Sequence, residues 1–448
     1  MSRGTLPSHW PPARPPDARL SRAQWMVLGV ALLGWMFDGV EMGLFPVVMR
    51  PALQSMLGVN VDRGILLEHT TYLTASFLLG AACGGLLFGW LGDRLGRVRT
   101  MAVSILVYSC FTGTCYFRFI DQPWQLGALR FLASLGMGGE WALGVALVVE
   151  SWPERWRPML AGVIGAAGNV GYLLVGVLAL SFKVTPDDWR WIMLACATPA
   201  ALAFVMFLLI PESQRWKQSV RGSGAKPLRE IFTTRLIWPT LLATAFASVA
   251  LIGTWGGVTN FLPSWVGELT DQKDPYAKGA VQVAVSIGAI IGCFFAPLLG
   301  GRFGRRPTYF GLCLFSLLIC GVVFRGLTRY DGLFLLMAVL AGCATASFYG
   351  WLPLYLPELF PTRVRATGQG LSYNLGRVFA AVGVLGQGQL EGFFRGIDRT
   401  SGSVGGLITW TLADTTYPRA CATITLIYVL GMALIWLAPE TKGKPLPD

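Results

Sequence analysis

The chain has 448 residues, 54% hydrophobic and 13% charged, with 55 glycines and a formal charge of +12. Soluble domains carry nearer a quarter charged residues, so a string of soluble domains is excluded and a bundle of membrane-spanning helices is expected. The positive charge does not describe a nucleic-acid surface, because the basic residues fall in short segments between long apolar runs.

From the N-terminus, residues 1–25 are proline-rich with scattered arginines and lack the apolar core and cleavage site of a signal peptide. They read as a disordered cytoplasmic tail. An N-terminal six-helix bundle is expected over 26–210, with spans near 26–49, 70–91, 99–118, 125–147, 159–181 and 190–210. Each run is long enough to cross about 30 Å of hydrocarbon. A polar, basic cytoplasmic linker occupies 211–235. A C-terminal bundle follows over 236–438, with spans near 236–261, 279–300, 308–326, 332–356, 366–389 and 419–438, and a cytoplasmic tail at 439–448.

Alternating the loops from a cytoplasmic N-terminus places 22 of the 36 Lys and Arg inside, 12 outside and two, Arg130 and Arg377, within spans. This positive-inside asymmetry predicts a multi-pass cell-membrane protein with both termini in the cytoplasm.

The nine cysteines all lie in apolar stretches without C-x-x-C spacing, and His9 and His69 are the only histidines. Neither a zinc site nor a disulfide framework is indicated. With no nucleophile–base constellation either, the chain does not read as an enzyme, and no cofactor or metal is expected beyond a proton as coupling ion.

Comparison of the two halves reveals a repeat. Asp93, Arg94, Gly96 and Arg97 after span 2 match Gly301, Arg302, Gly304 and Arg305 after span 8. Glu150, Pro153 and Arg157 after span 4 match Glu358, Pro361 and Arg365 after span 10, and every pair is separated by 208 positions. Two six-span repeats packed around an axis along the membrane normal explain one offset shared by separate loops. The expected fold is all-α, with 12 transmembrane helices as two pseudo-symmetric six-helix bundles.

These loops resemble the major facilitator superfamily, whose signature between spans 2 and 3 matches Gly89, Asp93, Arg94, Gly96 and Arg97. The E-x6-R pairs and the Pro211-Glu212-Ser213 and Pro439-Glu440-Thr441 endings resemble its sugar-porter and metabolite–proton-symporter branches. Arg22-Ala23-Gln24-Trp25, Asp38-Gly39-Val40-Glu41, Gly136-Met137-Gly138-Gly139-Glu140 and Glu150-Ser151-Trp152-Pro153 resemble bacterial sialic acid and organic-acid proton symporters. The second loop copy departs from the signature with Gly301 in place of the acid, so a latch using Asp93 is expected to be stronger in the N-terminal half.

Five charges lie inside spans: Asp38, Glu41, Arg130, Glu140 and Arg377. Each costs about 2.5–3.5 kcal/mol at the bilayer centre unless paired or hydrated, which a wet crevice between the halves would relieve. At 1.5 Å per residue, Asp38 lies about 18 Å into span 1 and Arg377 about 16 Å into span 11, both near the midplane.

Asp38 and Glu41 are three residues apart on one helix face, and two close carboxylates disfavour double ionisation. They are expected to exchange the coupling proton; the alternative is a static buried ion pair. Arg130, about 9 Å into span 4, has a place in the resembling family's span 4 signature, where it influences proton release, but it also has the reach to snorkel to the outer surface. Glu140 is deeper on the same helix and too far from Arg130 to pair with it. Its expected direction is span 1, span 2 or the crevice.

The planar fork of Arg377 suits a carboxylate, which nominates it for an anionic substrate, unless it pairs with Asp38 or Glu41. Tyr373 and Asn374 share its helical turn, and Asn169 is its 208-offset counterpart. Asn260, Trp255 and Tyr349 complete the expected substrate set. The pairs Asp93/Arg97, Glu150/Arg157 and Glu358/Arg365, with Arg94, Arg302 and Arg305, are expected to form a cytoplasmic gate; the alternative is solvated charges worth under about 1 kcal/mol each.

The function expected is proton-coupled import of a small organic anion, such as a sialic acid or an aromatic carboxylate, by a monomer working through alternating access. A neutral sugar porter, a metabolite or drug exporter and a non-transporting receptor or scaffold are the alternatives.

Overall fold

A computed structural model describes residues 20–447, apart from 59, 182–183, 222–226, 260, 271–273, 275 and 401–415. Among these residues the elements are helical. In the first half these are α1 (Arg22–Leu57), α2 (Arg63–Leu95), α3 (Arg97–Thr114), α4 (Pro123–Ser151), α5 (Arg157–Ser181), α6 (Trp189–Ala195) and α7 (Ala200–Leu209). Two short helices, α8 (Gln214–Arg221) and α9 (Pro227–Ile231), occupy the linker. The second half holds α10 (Thr234–Thr254), α11 (Phe261–Leu269), α12 (Ala277–Phe303), α13 (Arg305–Gly326), α14 (Gly332–Ala346), α15 (Phe348–Leu359), α16 (Arg365–Thr400), α17 (Thr416–Ile424) and α18 (Ile427–Leu434).

Four expected spans are interrupted, the twelfth at Thr425 and Leu426 between α17 and α18. The sixth breaks between α6 and α7 around Pro199, and the seventh passes through a π-helical turn at Trp255–Thr259. The tenth is divided at Ser347 between α14 and α15. Among the described residues, ten stretches are long and apolar enough to cross a membrane. α3 and α16 fill the two remaining expected positions as helices of 18 and 36 residues. Polar residues dilute their apolar character: Arg97, Thr100, Ser104, Ser109 and Thr112 on α3, and Thr367, Gln369, Ser372, Asn374 and Arg377 on α16, are all buried. Outward-facing apolar side chains such as Phe204, Leu208, Leu318 and Leu336 are exposed, as a lipid-facing surface requires.

Ser21 starts α1 with a capping box, accepting from the Gln24 amide at 3.3 Å while Gln24 accepts from the Ser21 amide at 2.8 Å. Glycines set the closest helix crossings. A Cβ on Gly80 or Gly84 of α2 would lie 2.2 Å from the Phe131 carbonyl or 1.9 Å from the Leu135 carbonyl of α4. Added to Gly288 or Gly292 of α12, it would lie 1.9 Å from the Val339 carbonyl or 2.1 Å from the Cys343 carbonyl of α14. All four positions and all four carbonyls are related by the same offset, so the repeat read in the loops extends to backbone-on-backbone contacts inside the lobes.

The lobes meet along two repeat-related seams, α2 against α16 and α5 against α12. At the first seam, a Cβ on Gly370 would lie 2.3 Å from the Gly85 carbonyl.

Candidate functional site

Two clusters lie at the lobe interface, one deep between the lobes and one on the face bearing the repeated loops. In the deep cluster Asp38 is fully buried on α1, with Glu140, Arg377 and Glu41 as its charged neighbours. The carboxylate of Glu140 rests over Gly34, one turn before Asp38, where an added Cβ would be 2.1 Å from Glu140 Oε1. Glu140 therefore faces span 1.

Glu41 is engaged separately. Its Oε1 accepts from Arg130 Nη1 at 2.6 Å and from the Thr112 hydroxyl at 2.7 Å. Two expectations are corrected here. Asp38 and Glu41 do not form the closely shared acid pair, because α4 supplies each with its own neighbour, Glu140 for Asp38 and Arg130 for Glu41. Arg130 does not snorkel: its side chain is 3% exposed and its guanidinium lies 4.5 Å from the Phe77 ring centroid.

Arg377 is buried on α16, where Nη1 donates to Asn374 Oδ1 at 3.2 Å. Its guanidinium carbon lies 5.0 Å from the Tyr373 ring and 6.0 Å from the Trp35 ring, and Nη2 lies 3.9 Å from the Met42 sulfur. Among the described residues no carboxylate lies within ion-pair distance of Arg377, and its Nε has no hydrogen-bond partner. Asn374 spends its amide on the Gly138 and Gly370 carbonyls, at 2.8 and 2.9 Å, and so ties α16 to α4 across the lobes. Tyr373 stacks on Trp141 with centroids 4.2 Å apart, a second contact between the lobes.

The remaining expected substrate residues are dispersed. Asn169 donates to the Gly165 carbonyl at 3.2 Å and the Cys293 sulfur at 3.4 Å, so it serves the α5–α12 seam. Tyr349 is buried on α15 with Tyr373, Tyr172 and Arg377 as electrostatic neighbours. Trp255 opens the π-helical turn and is half-buried. Asn260 lies outside the described residues. The sequence reading missed Trp35, Trp141 and Tyr108, buried beside the deep cluster, and Gln369, buried on α16. Gln369 carries a signal that was available: it lies four residues before Tyr373 and eight before Arg377, on the same side of α16.

On the loop face, the arginine of each loop copy binds the glutamate that ends a helix of its own lobe. Arg97 Nη2 lies 3.1 Å from Glu150, and Arg305 Nη2 lies 2.5 Å from Glu358. Ser213 and Thr441 donate to the same two glutamates at 2.7 and 2.5 Å. Glu212 accepts from the Arg97 amide at 2.9 Å, and Glu440 from the Arg305 amide at 3.0 Å, each capping a helix that starts after a positive-φ glycine. Burial by itself pushes the Glu440 carboxyl up. Donation from the Arg305, Arg306 and Lys442 amides, with the Arg305 charge, outweighs it and holds Glu440 below the usual carboxylate range.

The expected E-x6-R pairs are redistributed. Arg365 crosses the lobe boundary to Glu150 at 3.1 Å and does not bind Glu358. Arg157 binds Glu154, with Glu358 a further electrostatic neighbour, and does not bind Glu150. Both members of each motif flank a break between helices, which turns the arginine away from its own glutamate. The pair Asp93/Arg97 forms at 2.7 Å. Asp93 also accepts from the Thr367 amide at 2.8 Å and its hydroxyl at 2.5 Å, capping α16 of the other lobe. At the corresponding site Gly301 has no carboxylate to offer α5 and meets the Pro158 ring. Arg94 and Arg302 stand apart from this network, exposed over Trp90 and Phe303 at 5.1 and 5.6 Å.

Residues 23–384 match the Major Facilitator Superfamily. A metabolite transport protein of Haemophilus influenzae is 30% identical over 94% of this chain and 98% of its own. The cis,cis-muconate transport protein of Acinetobacter baylyi is 29% identical over 82% and 87%. In three dimensions the proton:xylose symporter XylE, solved with 6-bromo-6-deoxy-D-glucose, superposes with a TM-score of 0.72 over 95% of this chain and 98% of its own, at 16% identity. The fold, the doubled loop network and the sequence agreement together place this chain in the Major Facilitator Superfamily, as a multi-pass membrane transporter and not an enzyme.

Proposed function

We propose that the protein is a proton-coupled symporter of a small organic anion, a sialic acid or an aromatic or other carboxylate, moved by alternating access across the cell membrane. The observation that carries this reading is the buried Arg377, which has no carboxylate partner among the described residues while Glu41 and Arg130 neutralise each other nearby. A substrate carboxylate would complete the Arg377 site, with Tyr373 and Trp35 as apolar walls. The muconate relative supports the anion class, since muconate is a dicarboxylate.

Asp38 and Glu140 would carry the coupling proton. Two carboxyl groups side by side in a low-dielectric site resist double ionisation, so the pair retains a proton until a change of state opens it to water. Glu41 and Arg130 anchor α1 to α4 beside it. Positive-inside charge supports a cytoplasmic loop face. The network of Asp93, Glu150 and Arg365 then acts as the gate on that side and is closed in this state.

The reading is tested by uptake into proteoliposomes with a panel of labelled carboxylic acids and sugars under an inward proton gradient. Accumulation of an acid, lost in Arg377→Ala, is expected. Accumulation of neutral sugars alone would favour a sugar porter instead.

A further inference from the structure

A cavity of about 470 Å³ lies between α1, α5 and the α6–α7 break, away from the lobe interface. The turn that interrupts span 6, with Cys196, Thr198 and Pro199, lines it together with Val40, Glu41 and Leu44 of α1. Its walls are apolar, from Met36 on α1 to Leu178 on α5, and Leu178 is 48% exposed on the lipid side. Asp188 also lines it and is exposed.

Of the two carboxylates in this lining, Asp188 is exposed and Glu41 is buried. Glu41 is 3% exposed, and while Arg130 and Thr112 occupy its Oε1, its Oε2 has no hydrogen-bond partner among the described residues. A mostly apolar chamber of this size with a buried directional acceptor has the make-up of a small-molecule pocket. We propose that it binds an apolar, membrane-partitioning molecule bearing a neutral hydroxyl or amide donor, which hydrogen-bonds Glu41 Oε2. The donor must be neutral. Arg130 already balances the glutamate, and the other carboxylate of the lining, Asp188, is exposed and engaged by the Thr185 hydroxyl, so a cation at Glu41 would be buried without a buried counter-charge. The position matters because the occupant touches the Glu41–Arg130 pair from the lipid side. This inference does not rest on the proposed substrate or on proton coupling.

The test is photolabelling of the full-length protein in lipid nanodiscs with 4-hydroxybenzophenone and, in parallel, 4-methoxybenzophenone, which lacks the donor. A hydrogen bond to a charged acceptor corresponds to about tenfold or more in affinity. The hydroxyl probe should label peptides spanning 36–47, 174–178 and 192–199 about tenfold more than the ether. Unlabelled 4-octylphenol should displace it, and Leu178→Trp should reduce labelling to background. Equal labelling by both probes would overturn the role of Glu41. Labelling spread evenly over the lipid-facing helices, or undisplaced by 4-octylphenol, would overturn the site itself. The displacement arm uses unaltered protein, so the outcome stands even if the tryptophan variant misfolds.

Discussion

Glu150 and Arg365 form an ion pair 3.1 Å long between the two lobes, with both side chains shut away from solvent. The same Glu150 oxygen also accepts from Arg97 at 3.1 Å, so one carboxylate joins a loop of its own lobe to the first turn of α16 in the other. Removing one partner of a buried pair leaves the other uncompensated, at about 3–5 kcal/mol. At about 1.4 kcal/mol per tenfold, that is enough to reverse a two-state equilibrium. Glu150→Gln is therefore expected to open the loop face. Spin labels at the exposed positions 94 and 302, read by electron–electron double resonance, should move apart in the variant.

Gly85 tests the same closure by shape alone. A Cβ there would sit 2.0 Å from Asn374 Nδ2 and 2.7 Å from the Gly370 carbonyl, both on the opposite lobe. Gly85→Ala should widen the same spin-label distance and lower substrate exchange severalfold. Gly311→Ala, where nothing lies within 4 Å, should leave both unchanged.

Asp93 and its repeat counterpart should respond unequally. Asp93→Asn removes a charged cap from α16, a loss of about 0.5–2 kcal/mol in lobe closure. Gly301→Asp adds an acid against the Pro158 ring, and the counterpart of Thr367 there is Met159, which has no hydroxyl to donate, so it should not fully restore closure when combined with Asp93→Asn. Thermal unfolding and the spin-label distance together separate lobe opening from global loss of stability.

Glu440 gives a prediction in pH. Its folded carboxyl is held below the ordinary range, so its stabilising contribution is complete above the unfolded value and disappears as pH falls through the lower folded value. Wild-type protein in detergent should lose thermal stability more steeply than Glu440→Gln as the pH drops below about 4.5. Parallel curves for the two proteins would remove Glu440 from this account.

Much of the fold was legible because hydropathy counts spans and the 208-residue offset pairs them. The offset went further than the loops, since Gly84 with Leu135 and Gly292 with Cys343 make equivalent crossings. The interruption of span 6 at Pro199 and the π turn after α10 were hidden, because an apolar run has the same composition whether its helix is continuous or broken.

Partner choice was the least legible feature. Seven-residue spacing places Glu150 near Arg157 along the chain, but helix rotation and lobe packing assign Glu150 to Arg97 and Arg365. Asp38 and Glu41 were expected to serve each other for the same reason, and α4 separates their roles. Asn169 occupies the repeat position of Arg377 yet turns to Cys293, because the offset conserves depth and not the side chain's neighbour.

The central claim is that the buried acids beside Gly34 couple proton movement to an anion held at Arg377. Its most direct measurement is pH-gradient-driven accumulation of a transported acid in proteoliposomes, compared with exchange of the same acid at equal pH. The account predicts that Asp38→Asn combined with Glu140→Gln abolishes accumulation while exchange persists. Accumulation above equilibrium in the double variant would contradict it.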